Sequence, residues 1–190
     1  RLNTDGSLDP TFDPGLGPNG TVSACAVQAD GRIIIAGTFT EYDGAPSRRI
    51  ARLNPDGSLD NTYQIGAGAS GDIQCVLIQP DGKLIIGGDF IDYNGVPRKH
   101  IARLDPEGML DAGFITGSGA SGHVGALAFQ PDGKVLLGGS FLSYNGVSRK
   151  RVARLQADGT LDMSFNAGNG PNDAVTCILV QPDSKVLLTG

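Results

Sequence analysis

The sequence has no tryptophan, two histidines, three cysteines and no segment with the period of an amphipathic helix. Three irregularly spaced cysteines cannot form a disulfide framework, so we expect free, packed thiols. No apolar run approaches the length of a transmembrane helix, about 20 residues, so we expect no membrane insertion. A net charge of −5 argues against binding to nucleic acid or to anionic membranes. These absences exclude the disulfide-rich, membrane-spanning and nucleic-acid-binding classes.

What is abundant is glycine, with 29 residues, and a short hairpin sequence that recurs. The stretch "LNPDGSLD" begins at Leu53, and near-copies begin at Leu2, Leu104 and Leu155, so the period is 51 residues throughout. An arginine precedes each copy. A fixed period of this size indicates a repeat architecture.

One repeat predicts four antiparallel strands and no helix. In the second repeat these are "DIQCVLIQ", "KLIIGGDF", "IARLD" and "MLDAGF", separated by two turns and a loop. Such a unit is typical of a blade of an all-β β-propeller; a β-solenoid is the alternative, but its coils are usually shorter. The predicted boundaries are a half-blade at 1–20, blades at 21–70, 71–121 and 122–172, and a half-blade at 173–190.

The "PDG" turns predict bulged three-residue hairpin loops, with glycine in the left-handed position. That loop sets Leu53 opposite Leu59 and an arginine opposite an aspartate on the other face. The expected pairs are Arg1–Asp9, Arg52–Asp60, Arg103–Asp111 and Arg154–Asp162. Ser184 replaces the turn glycine in the last repeat, which should weaken that turn.

The combination of "RLNPDGSLD", an aromatic residue, "GAG" and "QPDGKLIIGGDF…YNG…IARL" resembles the delta-60 repeat, a bacterial β-propeller-type repeat. The resemblance covers essentially the whole chain. It implies a large, secreted or cell-surface bacterial protein, and it supplies no catalytic residues to carry over.

Several motifs suggest chemistry but fit structural roles better. Three matches to G-x-G-x-x-G, at 15–20, 66–71 and 117–122, connect strands and are not followed by a helix, unlike a dinucleotide site. The turn aspartates lack the spacing of a calcium loop, although weak calcium binding between turns remains an alternative. His100 and His123 lie in different repeats without companions, and we expect both to be solvated loop residues. We predict no catalytic residue, no metal site and no cofactor.

The loop between the second and third strands is the candidate binding element. It reads "TEYDGAPSRR", "IDYNGVPRKH" and "LSYNGVSRKR", and these loops should share one propeller face, opposite the acidic turns. Tyrosine and arginine are frequent in binding hot spots. The predicted binding residues are Tyr42, Arg48, Arg49, Tyr93, Arg98, Lys99, Tyr144, Arg149, Lys150 and Arg151. The alternative is that the tyrosines pin the loops and the cations are merely solvated.

These features favour a non-enzymatic binding or scaffold module that mediates adhesion to a protein or an anionic polysaccharide. The alternatives are a propeller hydrolase or lyase with its site at the central channel, and a structural spacer. Because the chain begins and ends within a repeat, we expect part of a larger ring, with open blade edges that would favour self-association. The alternative is a four-bladed ring closed within the chain, in which the strands 174–181 and 185–190 complete the N-terminal hairpin 1–12.

Overall fold

The computed structural model describes all 190 residues as an all-β chain without helices. The first repeat contains β1 (Val22–Val27), β2 (Ile33–Gly37), β3 (Glu41–Tyr42), β4 (Ala45–Pro46) and β5 (Ile50–Leu53). The second contains β6 (Ile73–Ile78), β7 (Leu84–Gly88), β8 (Asp92–Tyr93), β9 (Val96–Pro97) and β10 (Ile101–Leu104). The third contains β11 (Val124–Phe129), β12 (Val135–Gly139), β13 (Ser143–Tyr144), β14 (Val147–Ser148) and β15 (Val152–Leu155), and the chain ends with β16 (Cys177–Val180) and β17 (Val186–Thr189). No helix is present that could cross a membrane.

Each full repeat forms one three-stranded antiparallel sheet and one separate two-stranded sheet, which is β3-β4, β8-β9 or β13-β14. The strand orders are β1-β2-β5, β6-β7-β10 and β11-β12-β15, and β16 pairs with β17 alone. The turn between β1 and β2 has the predicted bulged form, because Gln28 N donates to Arg32 O at 2.8 Å and Gly31 N to Gln28 O at 3.0 Å. Gly31 has a φ of 85°, which a residue with a Cβ adopts only at a cost.

The predicted fourth strand is reduced to a single bridge in every repeat: Leu2–Leu8, Leu53–Leu59, Leu104–Leu110 and Leu155–Leu161. The predicted hairpin register is confirmed. The prediction of a full strand is wrong, because Asp60 turns the chain away. Its Oδ1 accepts hydrogen bonds from Thr62 N and Oγ1 at 2.9 and 2.6 Å, and its carbonyl accepts one from Tyr63 N.

The hydrophobic core lies between successive sheets. One cluster joins Ile34 and Ile50 of the first sheet to Ile73 and Ile86 of the second. A second cluster joins the second sheet to the third, and a third one joins β11 and β12 to Ile178. The middle strands β7 and β12 are buried along their whole length, as their unbroken apolar sequences predict. The sheets therefore stack in chain order, in a propeller-like arrangement.

The two ends of the stack expose residues that are buried inside it. Leu2 and Leu187 are exposed, whereas Leu53 and Leu136, one repeat further in, are buried. β17 pairs with β16 alone, and no backbone hydrogen bond joins it to residues 1–3.

The expectation of packed thiols is confirmed for one cysteine only. Cys75 points at Val124 O of the next sheet at 3.5 Å, and burial raises the pKa of its thiol to about 12. Cys25 and Cys177 are exposed, because they lie on the two outermost sheets, which have no further sheet to cover them.

Candidate functional site

The candidate site is the surface that we call the loop face. It consists of the loops 38–49, 89–100 and 140–151, together with the glycine-rich connections between sheets. Each loop folds into a two-residue hairpin such as β8–β9, whose turn residues Asn94 and Gly95 have φ values of 50° and 73°. Asparagine or aspartate followed by glycine is favoured in such turns, because both positions need a positive φ. The opposite end of the strands carries the acidic turns.

The loops of the loop face are hydrogen-bonded to the connections between sheets. Asn94 Oδ1 accepts a hydrogen bond from Ala67 N at 2.9 Å, and Asn94 N donates to Gly68 O at 2.7 Å. One repeat later, Asn145 makes the equivalent contacts with Ser118 N and Gly119 O. This role of the turn residue cannot be read from the sequence, because the bond spans 27 residues and joins two repeats.

The prediction that Tyr42, Tyr93 and Tyr144 form part of the contact surface is wrong. All three side chains are buried. Their hydroxyls donate to the carbonyls of Gly57, Gly108 and Gly159 at 2.8, 3.0 and 3.0 Å. Burial raises the pKa of Tyr93 far above its ordinary value. The tyrosines hold each loop against the turn of its own repeat, which was the structural alternative in the sequence analysis.

All cations of the loop face except Arg49 differ from the other cations of the chain in lacking carboxylate partners. Nine of the 15 lysines and arginines form ion pairs, including Arg49 with Asp72 at 3.1 Å. All of the remaining six lie in the three loops: Arg48, Arg98, Lys99, Arg149, Lys150 and Arg151. Unpaired positive charge is therefore confined to the loop face, although the chain is acidic overall.

These six side chains do not have equal access to solvent. Arg48, Lys99 and Lys150 occupy equivalent positions in the three repeats, and all are exposed. Arg98 and Arg149 are half-buried, and each donates to the carbonyl of the preceding residue at 2.8 Å. Of the predicted binding residues, the row formed by Arg48, Lys99 and Lys150 is the part most available to a partner.

The positions that follow this row have structural contacts. Arg49, His100 and Arg151 have positive φ values of 67°, 65° and 66°. Arg49 Nη1 and Arg151 Nη1 donate to connection carbonyls at 3.3 and 3.2 Å, and His100 Nδ1 lies 3.0 Å from Gly88 O. His123 is half-buried, with Nδ1 3.2 Å from Asp89 Oδ1. Neither histidine is a fully solvated loop residue.

The opposite end of the strands uses its acidic groups to build turns. Asp56 Oδ1 accepts hydrogen bonds from the Ser58 hydroxyl and backbone at 2.7 and 3.0 Å, and the hydroxyl lowers the pKa of Asp56. No group of three or more histidine, cysteine, aspartate or glutamate side chains is arranged to hold a metal ion.

The predicted arginine–aspartate pairs are confirmed, with Nε–Oδ2 distances of 2.7, 2.7, 2.8 and 2.8 Å from the first to the last repeat. They also join neighbouring repeats. Arg52 Nη1 donates to Pro106 O at 2.6 Å, and Arg103 Nη1 donates to Ala157 O at 2.6 Å. Each arginine also stacks over the aromatic residue of its own repeat, with distances of 4.7 to 5.2 Å from Cζ to the ring centre. These arginine–aspartate pairs therefore stabilise the stack of sheets. Because their charges are already paired, the loop face is the candidate site.

Comparison with protein families identifies the repeat. Residues 1–12, 28–63, 79–114 and 130–165, more than half of the chain, match the family described as "Domain of unknown function (DUF5122) beta-propeller". The chain belongs to this family. The DUF5122 match supports a β-propeller-type repeat, whereas the delta-60 name remains a resemblance. No curated protein matches the chain at a significant level.

Two solved structures with TM-scores above 0.5 agree with the propeller-like fold of this DUF5122 chain. The extracellular domain of the putative one component system BT4673 from B. thetaiotaomicron has a TM-score of 0.55 and 16% identity, over 93% of this chain and 21% of that one. A second structure, described as the extracellular domain of the putative hybrid two component system BT4673, has a TM-score of 0.52 and 13% identity over the same shares. The chain thus spans about a fifth of those domains. XC5397 from Xanthomonas campestris, a gluconolactonase, has a TM-score of 0.46 and 17% identity over 100% of this chain and 74% of that one.

Proposed function

We propose that the chain is a non-enzymatic binding module whose loop face contacts an anionic polymer, most simply an acidic polysaccharide, outside the cell. One observation carries the proposal: all six cations without a carboxylate partner lie on this face. The extracellular location follows from the delta-60 resemblance, and the extracellular BT4673 domains of similar fold agree with it.

The geometry suits an extended partner better than a small substrate. Arg48, Lys99 and Lys150 present equivalent exposed charges on successive sheets. A polymer with repeated negative charges can contact several of them at once, so weak single contacts sum to a useful affinity. An exposed ion pair contributes little by itself, and the binding should weaken as salt rises.

The module would form part of a larger propeller. The exposed apolar residues at both ends of the stack, such as Leu2 and Leu187, occupy positions that further sheets bury elsewhere in the chain. Additional blades would cover these surfaces and extend the row of cations. In a ring left open, the same surfaces would favour self-association.

The test compares two variants that lose the same two positive charges. Arg48→Ser/Lys150→Ser changes the loop face, whereas Arg32→Ser/Lys185→Ser changes the opposite end of the strands. Binding to an array of acidic and neutral polysaccharides should fall at least about tenfold in the first variant only, because local charge, not net charge, attracts the polymer. Equal losses in both variants would contradict the proposal. No binding by the wild-type protein would favour the structural spacer.

A further inference from the structure

A recess on the loop face between the second and third sheets differs from its counterparts in the other repeats. It has a volume of about 170 Å³. Its polar lining consists of Lys99, Ser118, Ser121 and Ser143, and the rest of its wall is formed by Gly119, Ala120 and Gly146. No acidic residue lines it. The recess therefore presents one cation and three hydroxyl groups, in a volume of the order of one sugar ring.

The three hydroxyl groups are free to donate, and the backbone positions that of Ser121. Ser121 Oγ accepts hydrogen bonds from Leu142 N and Ser143 N, both at 3.0 Å, and its own hydrogen has no acceptor in the protein. The Ser143 hydroxyl makes no hydrogen bond within the chain, and that of Ser118 makes only a long one, of 3.4 Å, to Asn145. Serine hydroxyls and an ammonium group can all donate to the oxygens of an anion.

The preceding repeats show what distinguishes this recess. Counting back by the repeat period, Lys99 corresponds to Arg48, whereas Ser143 corresponds to Asp92 and, one repeat earlier, to Glu41. Neither Asp92 nor Glu41 forms an ion pair within the chain. A free carboxylate at this position would repel an anion from the neighbouring cation. Only Ser143 leaves the position neutral.

We propose that the recess formed by Lys99, Ser118, Ser121 and Ser143 binds a single anionic group of a sugar residue, a carboxylate or a sulfate ester. It would be the specific subsite within the loop face, while Arg48 and Lys150 contact the rest of the polymer less selectively. This inference rests on the proposed function, since it assigns the position at which the loop face recognises its partner.

The decisive variant is Ser143→Asp, which introduces the residue that the preceding repeat already carries at this position. Ser143→Asn is the matched neutral control, because asparagine has almost the same size and shape as aspartate but no charge. The ligands are oligogalacturonate, which carries carboxylates alone, dextran sulfate, which carries sulfates alone, and neutral dextran. We expect Ser143→Asp to weaken binding of the preferred anionic ligand by about tenfold at low salt and Ser143→Asn by less than about threefold. The reciprocal variant, Asp92→Ser, should tighten binding.

A second measurement separates this proposal from the proposed function. Galacturonate and inorganic sulfate, titrated separately into ¹⁵N-labelled protein, should shift the amide resonances of Gly119, Ser121 and Ser143, and the shifts should vanish in Ser143→Asp. Whichever anion shifts them identifies the preferred group. If neither does, or if Ser143→Asp binds the polymers as the wild type does, the subsite is refuted. Loss of polymer binding in Arg48→Ser/Lys150→Ser would then still support the loop face.

Discussion

The contribution of the arginine–aspartate pairs to stability can be tested by changing Arg52 to alanine. Arg52 and Asp60 are 2.7 Å apart, and their side chains are 5% and 7% exposed. Removing one member of a buried pair typically costs about 3–5 kcal/mol, because the other charge is left without its partner. Asp60 keeps two hydrogen bonds from Thr62 and an ion pair with Arg32 at 3.4 Å, which reduce that cost. Pro106 O loses its donor, which adds about 1 kcal/mol. We expect a total loss of about 3 kcal/mol in the free energy of unfolding.

Arg1 provides the matched control, because it makes the same contacts in an exposed setting. Its distances to Asp9 Oδ2, Pro55 O and Thr11 Oγ1 are 2.7, 2.7 and 3.1 Å, but its side chain is 39% exposed. Exposed pairs contribute little, so Arg1→Ala should scarcely change stability. Urea unfolding followed by far-UV circular dichroism measures both variants. Equal losses of unfolding free energy in the two variants would refute the view that burial determines how much each arginine–aspartate pair contributes to stability.

Three further predictions concern single side chains. Tyr93→Phe should lower the free energy of unfolding by about 1–2 kcal/mol, because a buried carbonyl loses its hydrogen bond, and should leave polysaccharide binding unchanged. Ser184→Gly should raise the free energy of unfolding by about 0.5–1 kcal/mol, because Ser184 has a φ of 65° that glycine adopts without strain. Gly133→Ser, at the equivalent turn position, should have the opposite effect. The third prediction concerns pH: the hydroxyl of Ser164 is the main group that lowers the pKa of Asp162, to about 2. Because this value lies below that of an unfolded aspartate, near 4, the stabilisation is complete above about pH 5 and is lost as the pH falls from about 4 to 2.

Each of these predictions has a clear contrary result. Weaker polysaccharide binding in Tyr93→Phe, with unchanged circular dichroism, would indicate that Tyr93 belongs to the binding site after all. Unchanged or lower stability in Ser184→Gly would mean that the serine is not strained. For the pH prediction, Asp162→Asn should reduce the loss of stability between pH 4 and 2, and an identical profile in the variant would contradict it.

The hairpin register could be predicted from the sequence because it depends on local geometry alone. A three-residue turn with glycine in its last position places Leu53 opposite Leu59, and alternation along the strands then places Arg52 opposite Asp60. The short fourth strand could not be predicted in the same way. The sequence after Leu59 does not reveal that Asp60 will use its side chain to bond the backbone of Thr62 instead of continuing the sheet.

The candidate site was only partly predictable, for two physical reasons. Whether Tyr93 faces solvent or the core depends on how its loop packs against a turn 15 residues away, at Gly108, and a recurring tyrosine fits both outcomes. Whether a cation is free depends on the positions of all carboxylates in three dimensions. Arg49 and Arg48 are adjacent in the sequence, yet only Arg49 reaches an aspartate, Asp72 of the next repeat.

The differences between repeats carry more functional information than their common features do. Residues that recur in every repeat, such as the paired arginines and buried tyrosines, bond within the stack and serve its stability. A position where one repeat departs from the others is not needed for the bonds that hold the sheets together. The change from Glu41 and Asp92 to Ser143 removes a free carboxylate from a surface that otherwise carries unpaired cations, and no contact within the chain needs the Ser143 hydroxyl. Because stability does not explain this serine, binding of an anion is the physical role that its position favours.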